Sequence, residues 1–409
     1  MAITTIKGFH GFTIEIAGSD NILTVARYAT VRVSSGQWGI HTEFNSTNNQ
    51  IIVNGRVSVV DKTQAEAEAI WLESDNSSIA IGAHGEVSAQ NGIRTLADNI
   101  SVQNAGTVTG TEGGVGRGIM GWGGLGGVPT GLSIENSGTI SASYALDTYA
   151  YSTLIRNLHS GRIVSDYAAI FISGGDAQIV NHGLVKGDTW GVYAWDQHDN
   201  SISLRNDGTI IGDVGLSAFD DILDNRGGTI KGEIFGGDGD DTLITDDAMV
   251  TLTEKASEGW DWIKSTVSYT LTKNVEQLNL LGKRNINGTG SGDAGTDNYL
   301  YGNAGDNMLK GWAGYNELFG RGGTDTLLGS KDVDLFGIGQ DYGHDTVKGF
   351  KDGVDQIDIY LLGPNEFTEL QSHIEKHGAD TWLDFGNDVL ILKNVNPSVL
   401  DAGDFIFNY

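Results

Sequence analysis

Short runs of alternating apolar and polar residues, such as Ser201-Ile-Ser-Leu and Thr209-Ile-Ile, recur through the first half of the chain with turn residues between them. Alternation of period two predicts half-buried β-strands rather than helices. The runs are tied to one motif: Asn104-Ala-Gly106-Thr-Val, Asn136-Ser-Gly138-Thr-Ile, His159-Ser-Gly161-Arg-Ile, Asn181-His-Gly183-Leu-Val, Asn206-Asp-Gly208-Thr-Ile and Asn225-Arg-Gly-Gly228-Thr-Ile, with weaker relatives at Gly55 and Gly85. The interval between successive motif glycines, roughly 20–30 residues, is in the range of solenoid repeats. Residues 1–235 are therefore predicted to form a right-handed parallel β-helix, one motif per coil.

Two long gaps carry insertions. TEGGVGRGIMGWGGLGGVPTG, before Gly138, is too rich in glycine for regular strand and is predicted to bulge as a loop. The acidic, Ala-rich run DKTQAEAEAIWLESD, residues 61–75, predicts a short helix.

Stacked coils align side chains into columns. Asn104, Asn136, Asn181, Asn206 and Asn225 are predicted to form an internal amide ladder that satisfies turn backbones. Five residues after the motif glycine stand Asp166, Asp188, Asp213 and Glu233. At a coil spacing of about 4.8 Å these carboxylates admit three readings: turn capping, cation binding, or the paired carboxylates of a glycosidase. Tyr167, Trp190 and Trp195 are candidate platforms for sugar rings, or else core filling. His159, His182 and His198 lack metal-ligand spacing.

A second period appears further on. GGDGDDTLI occupies Gly236 to Ile244, and GNAGDNMLK, GWAGYNELF, GRGGTDTLL and GSKDVDLFG follow one another from Gly302. The apolar eighth place, at Leu243, Leu300, Leu309, Leu318, Leu327 and Phe336, predicts one inward column; the sixth place is Asp241, Asn298, Asn307, Asn316, Asp325 and Asp334.

This nonapeptide resembles that of the RTX, or haemolysin-type, family over roughly the last 170 residues. The resemblance implies an all-β chain in which a parallel β-roll follows the β-helix, with Ca²⁺ as cofactor. It implies metal-binding places at Gly236, Asp238, Asp241, Asn298, Gly302, Asn307, Asn316, Asp325, Asp334 and Asp345, each turn sharing its ion with the same-side turn two repeats on. Asn offers oxygen without charge, so those turns are expected to bind more weakly, and stacking without metal stays open. Residues 247–290 resemble a spacer between repeats.

After Asp332 the text VDLFGIGQDYGHDTVKGFKDGVDQIDIY resembles the cap of such rolls. DTWLDFGNDVLILKNVNPSVLDAGDFIFNY resembles an uncleaved type I secretion signal ending in Asp404-Phe405-Ile406-Phe407, and reads equally as a terminal hairpin. The expected division is 1–235, 236–290 (first nonapeptide turn and spacer), 291–360 (roll with cap) and 361–409 (secretion-signal region), with a helix at 366–377.

Composition adds constraint. The 409 residues hold 53 acidic against 25 basic side chains, a net charge of −28, with 60 glycines, three prolines and no cysteine. Such a charge disfavours nucleic acid and anionic membranes and favours divalent cations as partners. No apolar run reaches the roughly 18 residues of a membrane span, and the first residues do not read as a cleaved secretory signal. HExxH and GxSxG are absent. Two functions remain: a secreted, Ca²⁺-binding, non-enzymatic solenoid of the cell surface or matrix that meets polysaccharide, or an extracellular polysaccharide lyase, epimerase or hydrolase with a groove on the β-helix.

Overall fold

The structure is a computed structural model, and it describes all residues except 35–36, 61–66, 112–114, 123–128, 196–199, 294–295, 360–361 and 408–409. The chain is built almost wholly of parallel β-strands and divides into two compact units, Met1–Asp238 and Gly239–Tyr409. Among the described residues no helix is long and apolar enough to cross a membrane.

In the first unit each coil contributes strands to parallel rows in register. Burial follows the pleat: in Ile202–Asn206 the first, third and fifth residues are buried and the two between are exposed. One stack of branched aliphatics runs through Ile51, Ile79, Val102, Ile134, Ile155, Ile179, Leu204 and Leu223, and two further stacks complete the core. The second runs through Val31, Val57, Val87, Val108, Ile140, Ile163, Val185 and Ile210, the third through Ile40, Ile70, Ile93, Ile119, Leu146, Ile170, Val192 and Val214. Each is at most 1% exposed, and full burial of such a side chain is worth about 1.5–3 kcal/mol. β-Branched residues suit these positions because their stiff χ1 packs on the identical shape one coil away.

The amide ladder forms, with an additional rung. Each Nδ2 donates to the next Oδ1 from Asn104 to Asn136 (2.8 Å), Asn157 (2.8 Å), Asn181 (2.8 Å), Asn206 (2.7 Å) and Asn225 (2.6 Å). Asn157 holds the place that the motif assigned to His159, because that turn has two extra residues before Gly161. The helix expected over 61–75 is corrected: Glu68–Leu72 is a strand paired with the coils on either side, and 61–66 lie outside the described residues. Pairing to neighbouring coils overrides the helical composition. Part of the glycine-rich insertion also lies outside them, although Arg117–Gly121 within it is strand.

The second unit has two rows of short parallel strands. One row stacks Leu243, Ile263, Leu278, Leu300, Leu318, Phe336, Ile357 and Phe405; the other stacks Leu309, Leu327, Val347 and Leu392. The single inward column expected from the sequence is thus two columns. Each nonapeptide makes half a coil, so successive repeats face opposite sides and a pair of them completes a turn. The supposed spacer also belongs to the coils: Trp262–Ser265 pairs in parallel with the strands before and after it, and Tyr269–Thr270 with Gly288–Thr289.

At the end of the chain the expected helix shrinks to Phe367–Leu370 and a 3₁₀ turn, and Ile374–His377 becomes the edge of an antiparallel sheet with Asp380–Asp384 and Val389–Leu392. Phe405–Ile406 then lies in parallel beside Gln356–Asp358.

Candidate functional site

In the first row of the second unit, the residue two places before each core aliphatic is Asp241, Asp261, Glu276, Asn298, Asn316, Asp334 and Asp355. Where this column contains asparagine it satisfies itself. Asn298 Nδ2 donates to Asn316 Oδ1 at 2.9 Å, and Asn316 Nδ2 to Asp334 Oδ1 at 2.7 Å. Asp334 Oδ2 takes the Ser330 N–H at 2.6 Å, while Asp355 takes the N–H groups of Asp334 and Lys351 at 3.0 and 2.8 Å. The amide ladder of the first unit is repeated here, and these carboxylates have donors without any ion.

The opposite column, Asn307, Asp325 and Asp345, differs. Asn307 N–H donates to Asp325 Oδ1 at 2.6 Å and Asp325 N–H to Asp345 Oδ1 at 2.9 Å. Both aspartates are buried, at 1% and 0% exposure; no described N–H or hydroxyl donates to Oδ2 of either, and the two carboxyl groups lie within hydrogen-bond reach of each other. Burial pushes the Asp325 carboxyl up to about 7 and the Asp345 carboxyl up to about 8, with repulsion from neighbouring acids adding to both shifts. A buried carboxylate left unpaired is costly, so this column calls for a proton or a cation.

The first glycine of each repeat has a steric reason. A Cβ on Gly320 would collide with Asp325 Oδ2, and one on Gly302 with Asn307 Oδ1. The side chain at the sixth place folds back over its own turn, and only glycine leaves that cradle open. The fourth-place glycines Gly314 and Gly323 answer a different need, with φ of 83° and 125°.

A third acidic set occupies the start of this unit: oxygens of Asp241, Glu254 and Asp261, all buried, lie within 4.8 Å of one another. Burial raises the Asp261 carboxyl to about 7, and the charges of Glu276, Asp240 and Glu258 add to the shift. Glu254, Asp261, Glu276 and Asp355 escaped the nonapeptide frame because their coils are not two nonapeptides long. The trace that Asp261, Glu276 and Asp355 leave in the sequence is an acid two places before a core aliphatic, as in Asp261-Trp-Ile263 and Asp355-Gln-Ile357, whereas Glu254 leaves none. Gly236 is buried and Asp238 exposed at the end of the first unit.

The acidic set expected on the β-helix does not stack as four. Asp213 pairs with Trp190 after a register shift, so it is not aligned with Asp188. Asp166, Asp188 and Glu233 are exposed, Asp188 bridges Lys186 at 3.1 Å, and Asp213 Oδ1 accepts the Glu233 N–H at 2.9 Å. Of the aromatic trio, Tyr167 and Trp195 are 40% and 45% exposed, whereas Trp190 stacks on Tyr193 at 4.6 Å and meets Phe235 edge-on at 5.9 Å. His182 pairs with Asp207 and stacks on His159 at 5.2 Å; His198 lies outside the described residues.

No protein-family model and no curated protein matches the chain. Among solved structures, it is similar to the extracellular lipase LipA from Serratia marcescens at 17% identity and a TM-score of 0.29, over 52% of this chain and 41% of the lipase. The chain therefore spans less than half the length of that lipase, and a likeness of this degree carries no argument about function.

Proposed function

We propose that Gly239–Tyr409 is a Ca²⁺-binding β-roll of RTX type, in a protein exported by type I secretion that serves a structural or adhesive role at a cell surface or in an extracellular matrix. The observation that carries this reading is the Asp325–Asp345 column: two buried carboxylates one coil apart, each with an oxygen that no described N–H or hydroxyl reaches. Ca²⁺ takes six to eight hard oxygen ligands. Asp325, Asp345 and carbonyls of the adjoining turns would hold it, and the ion would supply the positive charge that this column lacks. The Asp241, Glu254 and Asp261 set offers oxygens of the same kind. The column of Asn298, Asn316 and Asp334 is assigned a structural part, since its hydrogen bonds are already made.

Export and contact with extracellular polysaccharide belong to the same reading, supported by the terminal Asp404-Phe405-Ile406-Phe407 and by the net charge of −28. A binding role is preferred to polysaccharide chemistry because Asp166, Asp188, Asp213 and Glu233 are divided by the register, with Asp188 engaged by Lys186 and Asp213 by a backbone N–H.

Calorimetric titration of Ca²⁺ into the EDTA-stripped chain tests the assignment. Saturable heat with Ca²⁺, much weaker heat with Mg²⁺, and loss of a binding step in Asp325→Asn are expected. Equal protease resistance in Ca²⁺ and in EDTA, without binding heat, would defeat it.

A further inference from the structure

In the first unit, Gly121, Thr148, Ile172 and Ala194 are register partners on four successive coils. The residue after each is Trp122, Tyr149, Ser173 and Trp195, and each of their N–H groups bonds one coil back, to the carbonyls of Thr95, Gly121, Thr148 and Ile172. A row of aromatic rings is therefore interrupted by one serine. These residues border a cavity of 350 Å³, within the range of about 300–1,000 Å³ for small-ligand sites. Trp122 and Trp195 are 43% and 45% exposed, so the core does not account for them.

The same cavity contains an ion pair of buried Asp147 with half-buried Arg117. Asp147 lies in the register row Met120, Asp147, Phe171, beside the inward row Ile119, Leu146, Ile170. It is only 2% exposed. Arg117 Nε donates to its Oδ2, and the Arg117 guanidinium lies over the Tyr144 ring at 5.7 Å. No described group donates to Oδ1 of Asp147, a residue that lines the cavity. A second cavity of 190 Å³ shares Arg117 and Trp122 and adds Gln90 and Asn91, so Arg117 stands between two adjoining spaces.

We propose that this cleft is a carbohydrate site for uncharged hexopyranose units of a glycan chain, with Trp195 and Trp122 against the C–H faces and the Arg117–Asp147 pair against neighbouring hydroxyls. Flat apolar rings match the faces of a pyranose. A guanidinium fork beside a carboxylate oxygen presents donor and acceptor together, which is what a pair of hydroxyls requires. An apolar ligand would seal Asp147 Oδ1 without a donor. An anionic sugar would bring a third charge to a pair that is already balanced, on a chain of net charge −28. Ser173 makes the opening: a large ring there would fill it.

The site deepens the proposed surface role but uses none of the Ca²⁺ column, so the two ideas fail separately. Full-length chain is titrated, in Ca²⁺ and again in EDTA, with oligosaccharides of glucose, mannose and galactose and with oligogalacturonate, following tryptophan fluorescence and heat. At least one neutral oligosaccharide should bind saturably in both conditions. Trp195→Ala should weaken it roughly tenfold, the scale of one lost stacking contact, and Ser173→Trp should abolish it with an unchanged circular dichroism spectrum. If Ser173→Trp does not fold, Trp195→Ala decides. No saturable binding of any neutral sugar, unchanged affinity in Trp195→Ala, or tighter binding of oligogalacturonate would overturn the site. Sugar binding without Ca²⁺ binding would instead remove the roll assignment and leave this one standing.

Discussion

The backbone N–H of Asp325 donates to Asp345 Oδ1 at 2.9 Å, which stacks two buried carboxylates one coil apart while Oδ2 of each receives no described N–H or hydroxyl. The opposite side of the same roll places Asn316 against Asp334, with Nδ2 donating to Oδ1 at 2.7 Å. One atom, nitrogen in place of oxygen, separates a column that closes on itself from one that calls for a cation.

Exchanging that atom should exchange the behaviour. Asp325→Asn with Asp345→Asn is expected to stabilise the chain in EDTA by about 1–3 kcal/mol, the cost of a buried polar group left unsatisfied, and to remove a Ca²⁺-binding step. Asn316→Asp should do the reverse, lowering stability in EDTA and adding Ca²⁺ uptake. Thermal unfolding with and without Ca²⁺ reads both. A double amide variant that is less stable in EDTA and still binds Ca²⁺ at full stoichiometry would show that the column has another partner.

In the proposed reading, protons and Ca²⁺ would compete for the same oxygens. Because burial raises the Asp325 and Asp345 carboxyls to about 7 and about 8, the folded metal-free chain keeps protons that the unfolded chain has released above about pH 4. The stability that this pair contributes in EDTA is fully present below that pH and is lost as pH climbs through 7 to 8. Subtracting the double amide variant isolates the pair from other titrating groups. A difference that stays flat between pH 4 and 8 would contradict the raised values. In Ca²⁺ the same difference should flatten, and binding should release protons.

The ladder in the first unit has its own test at Asn181, which accepts from Asn157 at 2.8 Å and donates to Asn206 at 2.7 Å. Asn181→Ala orphans a buried donor and a buried acceptor, at about 1–3 kcal/mol each, and should lower unfolding stability by about that sum whatever the Ca²⁺ concentration. Asn181→Asp should be worse, since it keeps the acceptor, loses the donor and buries a charge. Denaturant titration that shows either variant within about 0.5 kcal/mol of wild type, the range of surface changes, would mean that the ladder is ornamental.

In the proposed reading the last strand serves both export and folding. Asp404 is buried with Oδ1 accepting the Gly353 N–H at 3.0 Å, and Phe405 stacks on Ile357 at 4% exposure. Removing 404–409 should therefore reduce secretion and also cost about 1.5–3 kcal/mol from the lost Phe405 burial. The truncated chain, refolded in Ca²⁺, should be cut faster by protease near Ile357. Normal secretion would place the export signal elsewhere.

Repeats were legible wherever a residue has only one stable place. The Asn column could be read from 104, 136, 181, 206 and 225 because a buried amide has few alternatives to stacking on another amide. The all-β solenoid followed from glycine spacing and alternation. Coil boundaries were less legible. Asn157 is displaced from its motif by a small insertion, and Asp261, Glu276 and Asp355 belong to coils that differ in length from a pair of nonapeptides.

The sequence by itself determined the strand period, the residues that must face the core, and the sixth-place side chains that must lie in a turn, because these depend on chemistry within one coil. Only the tertiary structure decided which coil meets which: that nonapeptides alternate sides, that Asn316 meets Asp334 while Asp325 meets Asp345, that Asp213 slips opposite Trp190, and that Trp122, Asp147 and Trp195, drawn from separate coils, border one cleft. Insertions of a few residues shift register without changing local pattern, and hydrogen bonds between coils are indifferent to how much chain lies between them. The partners of every outward side chain are therefore fixed by stacking, after the coils themselves are fixed by sequence.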